Sequence, residues 1–101
     1  MNNILLNNIK GIEHLCKTYN VKNLYAFGSV LTDKFSDTSD IDFLVSFNDD
    51  IHLFDYADNY FDLKDKLSQL FGREIDLVTE NTVSNPYFKQ EIEKTKKYIY
   101  G

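Results

Sequence analysis

Basic residues are in short supply in this chain: 11 Lys and Arg stand against 16 Asp and Glu, a net charge of −5. Affinity for nucleic-acid backbones comes from many Lys/Arg–phosphate contacts, so this balance excludes a general nucleic-acid coat. Cysteine is scarcer still. Cys16 is the only one, which excludes an internal disulfide, and it falls on the apolar stripe of an expected helix, where core packing explains it better than thiol chemistry. No apolar run approaches the ~20 residues of a membrane span, and the first ten residues lack the basic-then-apolar pattern of a secretion signal. A cytoplasmic location without membrane contact is therefore expected. Linkers, internal repeats and low-complexity tracts are missing too, so the 101 residues read as one domain, 1–101, with a single core. Neither His14 nor His52 has a Cys or second His at zinc-ligand spacing, and both read as surface residues.

What is present argues for a folded chain, since 43% of residues are apolar and 15% aromatic. Over residues 2–19, Ile4, Leu5, Ile9, Ile12, Leu15, Cys16 and Tyr19 recur every three or four positions, the period of an amphipathic helix. Asn20 closes it. Residues 21–27 read as a central strand, Gly28 and Ser29 as a turn, and 30–33 as one or two helical turns. The small polar residues of 34–39 favour a loop. A second strand is expected over 40–47 and a long helix over 51–71, with Leu53, Phe54 and Phe61 among its apolar positions and Gly72 as its stop. Residues 73–79 repeat the strand pattern. Residues 80–85 form a polar connector, Pro86 suits the first turn of a helix, and a last helix is expected over 87–98. This order describes an α/β arrangement, a small mixed sheet flanked by helices.

The stretch from Leu24 to Ser46 carries the chemistry. Without a Cβ, Gly28 lets a bulky group such as a phosphate come close to the backbone. Ser29 is placed to cap the following turn and contribute to an anion-binding corner. Asp40 and Asp42 flank Ile41 in a β-type run, so their carboxylates project to the same side while Ile41 points to the other. Hard oxygen ligands beside a phosphate corner suit Mg²⁺, which binds through one or two carboxylates plus substrate phosphates. Asp76, between Ile75 and Leu77 in the third strand, is a third acid that could face the same point. Two metal ions in such a site can bridge a triphosphate, activate a hydroxyl and stabilise the leaving pyrophosphate.

Gly28–Ser29, then Asp40–Ile41–Asp42, with Asp76 on a later strand, resembles the signature of the DNA polymerase beta-type nucleotidyltransferase superfamily. The chain's small size points to the minimal nucleotidyltransferase branch, and the resemblance covers nearly the whole chain. It implies a polymerase beta-like fold and transfer of AMP from ATP. It also implies a hetero-oligomeric partner, an all-helical HEPN toxin whose tyrosine accepts the AMP and which is thereby silenced, as in type VII-like antitoxins. In this reading Asp40, Asp42 and Asp76 are catalytic residues and ligands of two Mg²⁺ ions, Asp76 doubling as the base. Gly28 and Ser29 hold the triphosphate, with Lys34 and Ser39 as further nucleotide contacts. One departure stands out, because many relatives have an arginine directly after Gly-Ser where this chain has Val30. Lys34 is the nearest basic substitute, a point charge without the bidentate fork. The alternative is a catalytically weak module that neutralises the toxin by binding alone. A free-standing transferase acting on a small molecule ranks last, since a second, acceptor-holding domain is not expected in a chain read as one domain.

Other features have plainer readings. Ser36, Asp37 and Ser39 fit an ordinary loop better than a ligand set. Asp55, Asp58, Asp62 and Asp65 follow helical spacing and read as a solvated face, with docking of a basic partner surface as the second reading. Tyr98 and Tyr100, beside Lys96 and Lys97, are left unassigned at the frayed end of the last helix.

Overall fold

The computed structural model describes residues 3–101. The first expected helix is broken in two: α1 covers Ile4–Asn7 and α2 covers Ile9–Thr18. Asn8 makes the break, because its side-chain Nδ2 donates to the Ile4 carbonyl at 2.8 Å while its backbone N–H donates to Leu5 at 3.2 Å. A side chain that competes for a backbone acceptor interrupts a helix in this way. The expected start at Asn2 lies outside the described residues. Asn20, at φ 61°, reverses the chain into β1, Val21–Phe27. Asparagine is one of the few residues that visit this left-handed region routinely.

Gly28 opens a 3-10 turn over Gly28–Leu31, which begins two residues before the expected helical turns of 30–33. The strand β2 covers Ile41–Phe47, so Asp40 is the last loop residue before it. The long helix α3 runs Leu53–Phe71, two residues later than the expected start at Ile51, and stops at Gly72 in the left-handed conformation. The strand β3, Ile75–Thr79, leads through a 3-10 turn at Glu80–Thr82 to α4, Pro86–Thr95. Asn85 caps α4 by accepting from the Tyr87 and Phe88 N–H groups at 2.9 and 3.2 Å, and Pro86 occupies the first turn, where its missing N–H costs nothing.

The expected continuation of this helix to Tyr98 is overturned. The chain leaves the helix at Lys96, and β4, Lys97–Tyr100, pairs antiparallel with β1. Aromatic and β-branched residues such as Tyr98, Ile99 and Tyr100 favour a strand, and the open side of β1 offers the unpaired backbone groups that recruit one. The Tyr25 and Tyr98 rings then meet edge to face at 6.2 Å.

The sheet order is β3-β2-β1-β4, with β2 and β3 parallel and the other pairs antiparallel. Ile41, Phe43, Val45 and Phe47 of β2 face α2 and α3, joined by Leu24, Ala26, Ile75, Leu77, Ile12, Cys16, Leu63 and Leu67 in the main core. Full burial of such side chains contributes about 1.5–3 kcal/mol each. Cys16 is part of that core, and burial pushes its thiol up to about 12, which keeps it protonated and unreactive. The opposite face carries a smaller cluster in which Phe27, Leu44 and Ile92 pack with Tyr25, Val78 and Val83. By strand alternation, Asp42 and Asp76 belong to this second face.

The second long helix departs from expectation on its outer side. Leu53, Phe54 and Phe61 are 82%, 87% and 66% exposed, so they are not core residues. Leu63 and Leu67 alone bury fully from α3. No helix among the described residues is long and apolar enough to cross a membrane.

Candidate active site

Asp42 and Asp76 are direct register partners across the parallel β2–β3 ladder. Equivalent positions on neighbouring parallel strands point to the same face, which brings the two carboxyl groups together. Burial, then the negative charges of Asp76 and Asp40, then a hydrogen bond with Asp76 raise the Asp42 carboxyl from 3.8 to about 6. Asp76 and Asp40 therefore both lie near enough for their charge to act on the Asp42 carboxyl. A raised carboxyl of this kind is what burial and neighbouring negative charge produce at Asp42 when no cation offsets them.

On the other side, β1 ends against the same residue. Phe27 is the antiparallel partner of Asp42, and the next residue, Gly28, has φ 76°. A Cβ at Gly28 would collide with Asp42 Oδ2, and the carboxyl carbon would lie 3.2 Å away. The glycine is thus required twice, by its backbone conformation and by the room that Asp42 takes. The freedom read from sequence as space for a phosphate is used here, at least in part, by an aspartate.

Ser29 lies inside the 3-10 turn, which begins at Gly28, and no side chain caps that turn. The capping role expected of Ser29 is therefore not taken up. Its carbonyl accepts both the backbone N–H and the hydroxyl of Thr32, at 2.9 and 2.8 Å. Val30, the position where relatives were expected to carry arginine, is only 3% exposed and packs in the main core. Lys34 is exposed, its backbone N–H donating to Thr32 Oγ1 at 3.2 Å.

Residues 36–39 close into a turn just before Asp40. The Ser36 N–H donates to Ser39 Oγ at 3.0 Å, and the Ser39 N–H donates back to the Ser36 carbonyl at 3.1 Å. The Ser39 hydroxyl thus has a role within the loop. Sequence reading missed the residue that holds this loop down. Arg73 Nη1 donates to the carbonyls of Ser36 and Ser39, both at 2.9 Å, and its guanidinium lies 4.5 Å from the centroid of the Phe35 ring. Arg73 Nε is buried without a partner among the described residues. An arginine two residues before the strand start carries no signal of this in sequence, because its partners are backbone carbonyls more than thirty residues away.

Among the described residues, no three His, Cys, Asp or Glu side chains form a ready-made cation cage. The donor set nevertheless has the chemistry Mg²⁺ takes: one or two carboxylates, the remaining positions filled by water and phosphate oxygens. A carboxyl raised by burial and by the negative charges beside it is also a place where a divalent cation relieves repulsion.

A mixed four-stranded sheet with aspartates converging at the glycine turn after its first strand defines a polymerase beta-like nucleotidyltransferase fold. The family pattern described as Polymerase beta, Nucleotidyltransferase matches residues 10–101. Two relatives from Methanocaldococcus jannaschii, named protein adenylyltransferase MJ1217 and MJ0128, are 38% and 39% identical, each over 84% of this chain and 83% of its own length. This chain belongs to the polymerase beta-type nucleotidyltransferase family. Among solved structures, a minimal nucleotidyltransferase superposes with a TM-score of 0.69 at 24% identity, covering 96% of this chain and 95% of that one. A toxin–antitoxin structure with AMP-PNP gives 0.71 at 23% identity, over 93% and 73%. A tri-AMPylated Shewanella oneidensis HEPN toxin in complex with MNT antitoxin gives 0.65 at 21% identity, over 95% and 71%. These three show the same fold.

Proposed function

We propose that this chain is a Mg²⁺-dependent adenylyltransferase that moves AMP from ATP to a hydroxyl of a partner protein, a tyrosine of a HEPN-type toxin, and so silences it in the cytoplasm. The observation that carries the reading is the pairing of Asp42 with Asp76 across the ladder beside Gly28, with the charge of Asp40 acting on Asp42. Asp40 and Asp42 would hold the metal, with Asp76 completing a second position. When bound, Mg²⁺ supplies charge neutralisation on the triphosphate and its leaving group. Gly28 and Ser29 flank the triphosphate, with Lys34 and Ser39 at the rim.

Asp76 has the further task of taking a proton. It is the exposed member of the register pair with Asp42, on the edge strand of the sheet, where an incoming hydroxyl can reach it. The hydroxyl oxygen attacks the α-phosphorus, the bond between the α- and β-phosphates breaks, and pyrophosphate leaves while the proton passes to Asp76. The partner's surface positions the acceptor, and such positioning dominates this kind of chemistry.

The buried Val30 favours a second reading. The position after Gly-Ser points into the core and gives no cation to the phosphates, as expected of a module that neutralises its partner by binding alone. One incubation separates the two. Partner, ATP and Mg²⁺ are mixed with the chain, and intact mass is read: AMP added to the partner, absent with Asp40→Ala, supports the transferase. Unmodified partner in a tight complex supports the binder.

A further inference from the structure

The helix α4 and the 3-10 turn of Gly28–Leu31 wall a cleft of about 560 Å³ that opens onto Asp42 and Gly28. Its volume falls within the roughly 300–1,000 Å³ typical of small-molecule sites. Phe27, Leu31, Phe88 and Ile92 make its apolar lining, and Thr32, Glu91 and Thr95 add polar groups. Phe88 is 44% exposed although its ring meets Phe27 edge to face at 6.0 Å. The Glu91 carboxylate makes no ion pair among the described residues, and the Thr95 hydroxyl donates to the Glu91 backbone carbonyl at 2.8 Å. A largely apolar cleft with two aromatic rings, Phe88 the more exposed, and one carboxylate outside any ion pair thus adjoins Asp42.

The geometry points to this cleft as the nucleobase site of the same nucleotide, taking a base that carries an exocyclic amino group. The inference rests on the nucleotide reading of the three acids. The base is tethered to phosphates held at Asp42 and Gly28, so the cleft that opens there is within its reach. Phe88 offers a stacking surface, which is sequence-tolerant because every base has a π-face. Discrimination then falls to Glu91. An ionised carboxylate accepts from an amino group and repels a ring carbonyl at the same place.

Equilibrium titration of the full chain with ATP, ITP and base-free ribose 5′-triphosphate, in the presence of Mg²⁺, tests this. ATP should bind at least tenfold more tightly than either ITP, which has a carbonyl in place of the amino group, or the base-free compound. Phe88→Ala should weaken ATP roughly 5- to 100-fold and leave ribose triphosphate unchanged. Phe88→Leu preserves an apolar contact with Phe27 and should show the same loss, which separates stacking from unfolding. Glu91→Gln should narrow the ratio between ATP and ITP, because an amide also donates to a carbonyl. If all three variants bind ATP like the wild type while Asp42→Asn weakens it, the cleft assignment is overturned and the nucleotide site stands. If the wild type binds neither ATP nor ribose triphosphate, the nucleotide reading falls and takes the cleft with it.

Discussion

Asp42 stands directly across the parallel ladder from Asp76, and the two share a hydrogen bond that, with burial and the charge of Asp40, lifts the Asp42 carboxyl to about 6. The folded chain therefore holds this proton more tightly than the unfolded chain, whose carboxyl titrates near 3.8. Stability must fall as pH rises from about 4 to about 6 and then level off. Below that window both states are protonated and the site costs nothing. Above it the native state carries the full penalty, roughly 1–2 kcal/mol once solvent screening of a half-buried group is allowed for. Asp42→Asn should accordingly be more stable than the wild type by that amount at pH 7–8, with the gap closing by pH 4. Urea unfolding across this range, in buffer with chelator, measures it.

Two glycines with left-handed backbones give a matched comparison. Gly28 and Gly72 have φ of 76° and 64°, yet an added Cβ meets the Asp42 carboxyl at Gly28 and nothing within 4 Å at Gly72. Gly72→Ala should cost only the backbone strain, about 1–2 kcal/mol. Gly28→Ala adds the displacement of Asp42, a further ~1–3 kcal/mol of overpacking, and should abolish nucleotide transfer while Gly72→Ala retains it. Thermal unfolding and transfer assays on both variants check the pair.

Much of this was legible in the sequence for local reasons. Period-two alternation set Asp42 on the face opposite Ile41, the Gly72 stop is a left-handed cap, and Pro86 begins a helix as its ring dictates. The elements misread are those decided by distant partners. Residues 97–100 carry aromatic residues that suit a helix end or a strand, and only the open side of β1 decides between them. The break at Asn8 depends on a single side-chain hydrogen bond to Ile4, which periodicity cannot register. Strand order was likewise out of reach, although it is what makes Asp76 the neighbour of Asp42.

Arg73 is the tether on which Asp40 depends. Its Nη1 bonds to Ser36 and Ser39 fix the turn whose next residue is Asp40, and bonds from a charged donor contribute about 1.5–3 kcal/mol. Lysine has neither the planar fork nor the flat face that lies over Phe35. Arg73→Lys should therefore lose most of what Arg73→Ala loses. The expected signature is a fall in the rate of transfer larger than any fall in ATP affinity, because Asp40 is displaced while Gly28 and Asp42 stay in place. Single-turnover kinetics beside equilibrium ATP titration separates the two quantities.

The outer side of α3 yields the opposite kind of outcome. Leu53, Ala57 and Phe61, four residues apart, climb a stripe distinct from that of Leu63 and Leu67, and an apolar count along the sequence merges the two. Only the second stripe is buried. Leu63→Ala should cost about 2–5 kcal/mol through the cavity it leaves, whereas Phe54→Ser should shift stability by no more than ~0.5 kcal/mol. A large loss on Phe54→Ser in the isolated chain would mean that this ring is covered in solution, and chemical denaturation of the two variants side by side decides it.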